Sequence, residues 1–100
     1  MIKSVSEIER LADTFRALSD PTRLSIVKIL HDMGGPLCVN AIAFRLGVTQ
    51  SAVSQHLRVL RQEGIVSRVR AGRRVHYAVD IGALRAHGRL FHDALLKKVR

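Results

Sequence analysis

Apolar side chains recur at helical spacing over five stretches of this chain and alternate over two others. Ile8, Leu11, Ala12, Phe15 and Leu18 share one helical face, which predicts a helix over 5–18. Ser4 followed by Glu7 has the form of a capping box at its start. Asp20-Pro21 restarts the chain, because Asp is a good N-cap and Pro suits the first helical position. Leu24, Ile26, Val27, Ile29 and Leu30 then predict a second helix over 21–33, stopped by Gly34-Gly35-Pro36. Leu37-Cys38-Val39 reads as a minimal strand. Asn40 is the expected cap of a third helix over 41–46 that Gly47 ends, and Thr49 the cap of a fourth over 50–63 that Gly64 ends. Ile65 to Arg70 alternates and is β-branched, Ala71 to Arg74 supplies a turn, and Val75 to Val79 is the return strand. Asp80 caps a last helix over 81–98, with Leu84, Leu90, Phe91, Leu95 and Leu96 as its apolar positions.

The expected fold is therefore mainly α with a small β-hairpin, in the order α-α-(β)-α-α-β-β-α. One hundred residues without a repeat or linker predict a single domain over 1–100. No apolar run approaches the roughly 20 residues of a membrane span. The first residues lack the apolar segment of a secretory signal, so the expected location is the cytoplasm, with no membrane partner.

The third and fourth predicted helices carry a helix-turn-helix signature. Ala43, Gly47 and Val53 stand at the spacing small-x3-Gly-x5-β-branched. Ala43 is small because the second helix packs on it. Gly47 fits a turn that needs a positive φ, and Val53 fixes the steep crossing of the pair. Leu46, Val48 and Leu57 complete that small core. In the fourth helix Val53, Leu57 and Leu60 define the inner face. Gln50, Ser51, Ser54, Gln55, Arg58 and Arg61 are left outside, and they suit the edges of bases and the phosphates of a major groove. Thr49 and Gln50 open the helix and offer backbone amides to a phosphate. His56 follows these residues and either touches a phosphate or packs.

Charge points to the same place. The chain carries a net +9, unevenly spread. Residues 1–32 are neutral overall, whereas residues 33–79 hold seven arginines against Glu63 alone. Four of them, Arg68, Arg70, Arg73 and Arg74, sit on the predicted hairpin or its tip. A hairpin after a recognition helix is a wing, and arginine at its tip suits the negative potential of a narrow minor groove. The expected partner is duplex DNA.

These motifs together resemble the ArsR family of winged-helix repressors. The resemblance rests on residues 17–26 (ALSDPTRLSI), 46–57 (LGVTQSAVSQHL), 60–66 (LRQEGIV) and 72–77 (GRRVHY), and extends over nearly the whole chain. It implies a winged helix-turn-helix that forms a homodimer through its first and last helices. It also implies binding to an imperfect inverted repeat near a promoter, release by an inducer, and Ser51, Ser54, Gln55 and Arg58 facing DNA. The inducer is not readable from the sequence.

Metal and redox sensing, known in that family, find a poor donor set here. Cys38 is the only cysteine, so intrachain disulfide chemistry is impossible and a multi-thiolate site is lacking. Between hydrophobic neighbours it reads as a buried small hydrophobe. The family's histidine site on the last helix is not matched by Asp80, His87, His92 and Asp93. His87 and His92 are five residues apart and diverge around the helix, so they read as exposed or partner-facing polar groups. No metal ligand and no cofactor is assigned. A metal- or redox-responsive repressor of the same fold is the alternative reading, and a non-specific nucleoid-type DNA binder is a third. An enzyme is not expected, since no paired carboxylates, phosphate loop or activated nucleophile is present and catalytic residues are none.

Overall fold

The computed structural model describes residues 5–98, so Ser4 of the expected capping box lies outside the described residues. Five helices and three strands follow one another as α1 (Val5–Leu18), α2 (Pro21–Met33), β1 (Leu37–Cys38), α3 (Val39–Leu46), α4 (Gln50–Gln62), β2 (Val66–Ala71), β3 (Arg74–Val79) and α5 (Ile81–Leu95). The strands form one antiparallel sheet in the order β1-β3-β2. Among the described residues no helix is long and apolar enough to cross a membrane.

Local chemistry sets most of these boundaries. Asp20 accepts from the N–H groups of Thr22 and Arg23 and caps α2, with Pro21 at its first position. The Thr49 hydroxyl accepts from Ala52 N–H at 3.1 Å and caps α4, and Asp80 does the same for Ala83 at the start of α5. The start of α3 is a correction. The helix begins at Val39, and Cys38 occupies the N-cap without a side-chain cap bond. Pairing of Leu37 and Cys38 with Tyr77 and His76 of β3 already holds the backbone extended up to that point. The helix therefore starts where the strand ends, and Asn40 lies inside it, exposed.

One cluster makes up nearly all of the core, with buried Leu11 of α1 lying apart from it. Ile26, Ile42, Val53, Leu60 and Ile65 are all fully buried, with Ala17, Leu30, Ala43, Leu57 and Val66 around them. Each of α1 to α4 contributes, and Ile65 and Val66 carry the core into the base of the hairpin. Alternation along the sheet puts Val66, Tyr77, Val79 and Leu37 on the face that meets this cluster.

Gly47 makes the geometry of the α3–α4 pair possible. Its φ is +67°, and Val48 N–H returns to the Ala43 carbonyl at 3.1 Å. A side chain at position 47 would meet no heavy atom within 4 Å, so only the backbone conformation demands glycine. Gly47→Ala is expected to lower stability by about 1–2 kcal/mol, the cost of a left-handed L-residue. A thermal melt should show a drop of roughly 4–8 °C for each of those kilocalories. An unchanged melting point would mean the turn relaxes out of its observed conformation.

The first and last helices leave apolar surface uncovered. α5 has no fully buried residue, and Phe91, Leu95 and Leu96 are 39%, 53% and 61% exposed. On α1, Ile8 and Phe15 are similarly half-exposed. Phe15 and Phe91 meet edge to face with ring centroids 5.7 Å apart, which joins the two strips. The last helix ends at Leu95, with Leu96 at its C-cap, short of the expected residue 98.

Candidate nucleic-acid interface

Helix α4 has two faces of different chemistry. Val53, Leu57 and Leu60 point into the core and are 1% exposed or less. Gln50, Ser51, Ser54, Gln55, Arg58 and Arg61 are exposed, as the helical period requires. Thr49, at the cap, is exposed as well. The outer face thus offers amide, hydroxyl and guanidinium groups and no carboxylate, and the first turn has no acidic residue. Such a row can donate to and accept from base edges while its positive charge is drawn to phosphate.

His56 stands apart from this row. It is half-buried and faces the corner between α1 and α2. The Arg23 guanidinium donates from Nη1 to its Nδ1 at 3.3 Å. A guanidinium only donates, so Nδ1 accepts and the ring proton sits on Nε2, 4.0 Å from Asp20 Oδ1. The same Arg23 donates to the carbonyls of Ala17 and Arg16, which close the end of α1. Backbone N–H bonds, first from Arg23 and then from Thr22, hold the Asp20 carboxyl below its usual range against the opposing effect of burial. The middle of α4 is thereby braced against the α1–α2 corner. No local pattern in the sequence reports Arg23's role, because its partners lie 6, 7 and 33 residues away.

The hairpin carries the second cluster. Gly72 and Arg73 form a two-residue loop between the paired Ala71 and Arg74, and Gly72 has φ +64°. A positive φ at the first loop position is what a tight type II′ hairpin needs. Arg68, Arg70, Arg73 and Arg74 are all exposed. Alternation places Arg68 and Arg70 on one face and Arg74 on the other, with Arg73 at the tip. The guanidinium groups thus surround the hairpin's outer half.

The candidate sensing residues are differently placed. Cys38 is half-buried, with its Cα opposite that of His76. His92 is exposed and lies 3.3 Å from Asp93 Oδ1. His87 is neither exposed nor turned outward, contrary to expectation. Its ring sits between helices, with Nδ1 2.8 Å from the Thr14 hydroxyl and Nε2 3.0 Å from the Glu63 carbonyl. Among the described residues no three His, Cys, Asp or Glu side chains come together as a metal site.

Comparison with known proteins agrees with this geometry. The profile of the family described as "Bacterial regulatory protein, arsR family" matches residues 20–68. The chain is 37% identical over 78 residues to a protein named transcriptional repressor SmtB homolog from Synechocystis, covering 78% of this chain and 58% of that protein. It thus spans less than three fifths of that relative's length. The fold superimposes on an ArsR-like transcriptional regulator from Rhodococcus sp. RHA1 with a TM-score of 0.79 and 32% identity, covering 88% of this chain and 81% of the other. It also matches a homodimeric winged helix-turn-helix DNA-binding domain from Mycobacterium bovis, with a TM-score of 0.73, 26% identity and coverage of 92% and 87%.

Proposed function

The chain belongs to the ArsR family of bacterial regulators, and from that premise we propose that it is a homodimeric repressor binding an inverted-repeat operator in duplex DNA. The observation that carries the reading is the outer face of α4, where six polar or basic side chains stand exposed without an acid among them. Gln50, Ser51, Ser54, Gln55, Arg58 and Arg61 enter the major groove, where Gln pairs with adenine and Arg with guanine. The N-terminus of α4 at Thr49 and Gln50 meets a phosphate. Arg68, Arg70, Arg73 and Arg74 follow the backbone and the adjoining minor groove. His56 braces α4 through Arg23. The exposed apolar strips of α1 and α5 pair the subunits about a two-fold axis, so that two α4 helices stand roughly 34–36 Å apart. Such a protein works where the genome is, in the cytoplasm, and the whole chain serves as one domain.

The metal- or redox-switched alternative gains nothing from the donor set. His87 spends both ring nitrogens on Thr14 and Glu63, and Cys38 is the one cysteine of each subunit.

Selection of bound fragments from a random duplex pool tests the reading. One inverted-repeat motif should emerge, bound at least about 10³-fold more tightly than random DNA at physiological salt. A pool with no enriched motif means a non-specific binder. The wing has its own test. Each phosphate contact contributes about 0.9 to the slope of log affinity against log salt. Replacing Arg73 and Arg74 together by Ala should weaken binding and reduce the slope by up to about two. A slope equal to the parent's places the hairpin off the DNA.

A further inference from the structure

Thr14 is the one fully buried polar side chain among the described residues, at 3% exposure. Its hydroxyl lies 3.1 Å from the Arg10 carbonyl and 2.8 Å from Nδ1 of His87 in α5. On the other side of the imidazole, Nε2 lies 3.0 Å from the carbonyl of Glu63, the C-cap residue of α4. A carbonyl only accepts, so Nε2 carries a proton and donates. In the neutral ring Nδ1 then accepts, and the single Thr14 O–H is shared between it and the Arg10 carbonyl. One imidazole therefore joins α1, α5 and the end of α4. A second bond ties the same region, from Asp80 N–H at the head of α5 to the Ile65 carbonyl at 2.8 Å.

Leu60 and Ile65 hold the end of α4 in the core, and the hydrogen bonds of His87 add a directional tie to it. A cleft of about 140 Å³ remains between α1 and α4, lined by Asp13, Arg16, Ala17, Val59, Gln62 and Glu63. Apolar contact is non-directional, whereas a hydrogen bond fixes both distance and angle. α4 is 13 residues long, hence roughly 20 Å at 1.5 Å per residue. A tilt of about 10° would move its far end by roughly 3 Å, close to one base-pair step.

We propose that His87 is a positioning residue that sets the angle of α4 relative to the paired α1 and α5 helices, and so sets which spacing of DNA half-sites the dimer accepts. The inference rests on the dimeric DNA-binding reading above. It assigns His87 no contact with DNA. Each subunit on its own still presents an intact α4 to a half-site, and only the match between two subunits depends on His87.

The test uses His87→Leu, which leaves Thr14 and the Glu63 carbonyl without their partner. His87→Gln is the rescue, since its side-chain amide offers an acceptor and a donor at similar separation. Binding is measured to one half-site, to the selected inverted repeat, and to repeats with one or two base pairs added or removed. His87→Leu should bind the single half-site within about twofold of the parent. It should bind the full repeat at least about tenfold more weakly, with a flattened spacing profile, while remaining dimeric by sedimentation. His87→Gln should restore most of the preference. Thr14→Val removes only the α1 side, should show the same pattern in milder form, and decides the matter if His87→Leu does not fold. An unchanged spacing profile overturns the proposal. So does an equal loss on half-site and full site, the signature of a purely structural role. A parent protein with no preference for paired over single half-sites overturns the dimeric reading itself, and that failure is visible before any variant is made.

Discussion

Phe91→Glu is expected to yield a folded monomer that binds the inverted repeat about 10²–10⁴-fold more weakly than the parent, the avidity lost with the second recognition helix. Phe91 is 39% exposed in the isolated chain, and its ring leans edge-on against Phe15. A carboxylate at this position can reach water within one subunit, so the fold survives the loss of a ring contact worth about 0.5–1.5 kcal/mol beyond its area. Between two subunits it cannot. The strip continues through Leu95 and Leu96 on α5 and Ile8 on α1, all between 43% and 61% exposed. A two-fold axis brings each such patch against its copy, so the charge enters an apolar interface twice without a partner. Sedimentation should give half the parent's mass, and affinity for a single half-site should stay the same. A variant that remains dimeric with parental operator affinity would mean that the subunits pair through another face.

Local rules made most of the fold legible in the sequence. Asp20, Thr49 and Asp80 cap the helices they were expected to cap, because capping involves only two or three residues of neighbouring backbone. Gly47 ends α3 with the positive φ that its turn implied. The outer row of α4 is exposed as its period required. What the sequence hid depends on contacts across the chain. Cys38 replaces Asn40 at the head of α3, since β1 is fixed by a strand nearly forty residues further on. His87 looked like a surface residue of an amphipathic helix, yet its partners are 73 residues before it and 24 residues before it. His56 fell in the register of the contact row, and only the folded corner shows Arg23 and Asp20 waiting for it. In each case a polar group was satisfied by a neighbour in space, which periodicity does not report.

The two faces of α4 should come apart under substitution at adjacent positions. Leu57 is 1% exposed and belongs to the core cluster. Leu57→Ala removes buried methyl groups and leaves a cavity, at a cost of about 2–5 kcal/mol. Against a total stability of roughly 5–15 kcal/mol this is a large share, and the melting temperature should fall by about eight degrees or more, at roughly 4–8 °C per kilocalorie. Saturating operator should recover part of that loss, because DNA binds only the folded state. Arg58, one position on, is exposed and bears no core contact. Arg58→Ala should leave the melting temperature of the free protein within about two to four degrees, since surface changes are usually within about 0.5 kcal/mol. Its operator affinity should nevertheless drop by about 1–3 kcal/mol, with discrimination relaxed at one base pair in each half-site. If Arg58→Ala instead lowers binding equally for every sequence, the guanidinium lies on a phosphate and the base-reading role passes to Gln55 and Ser54. If it changes nothing, α4 enters the groove by a different face than the one its exposed residues define.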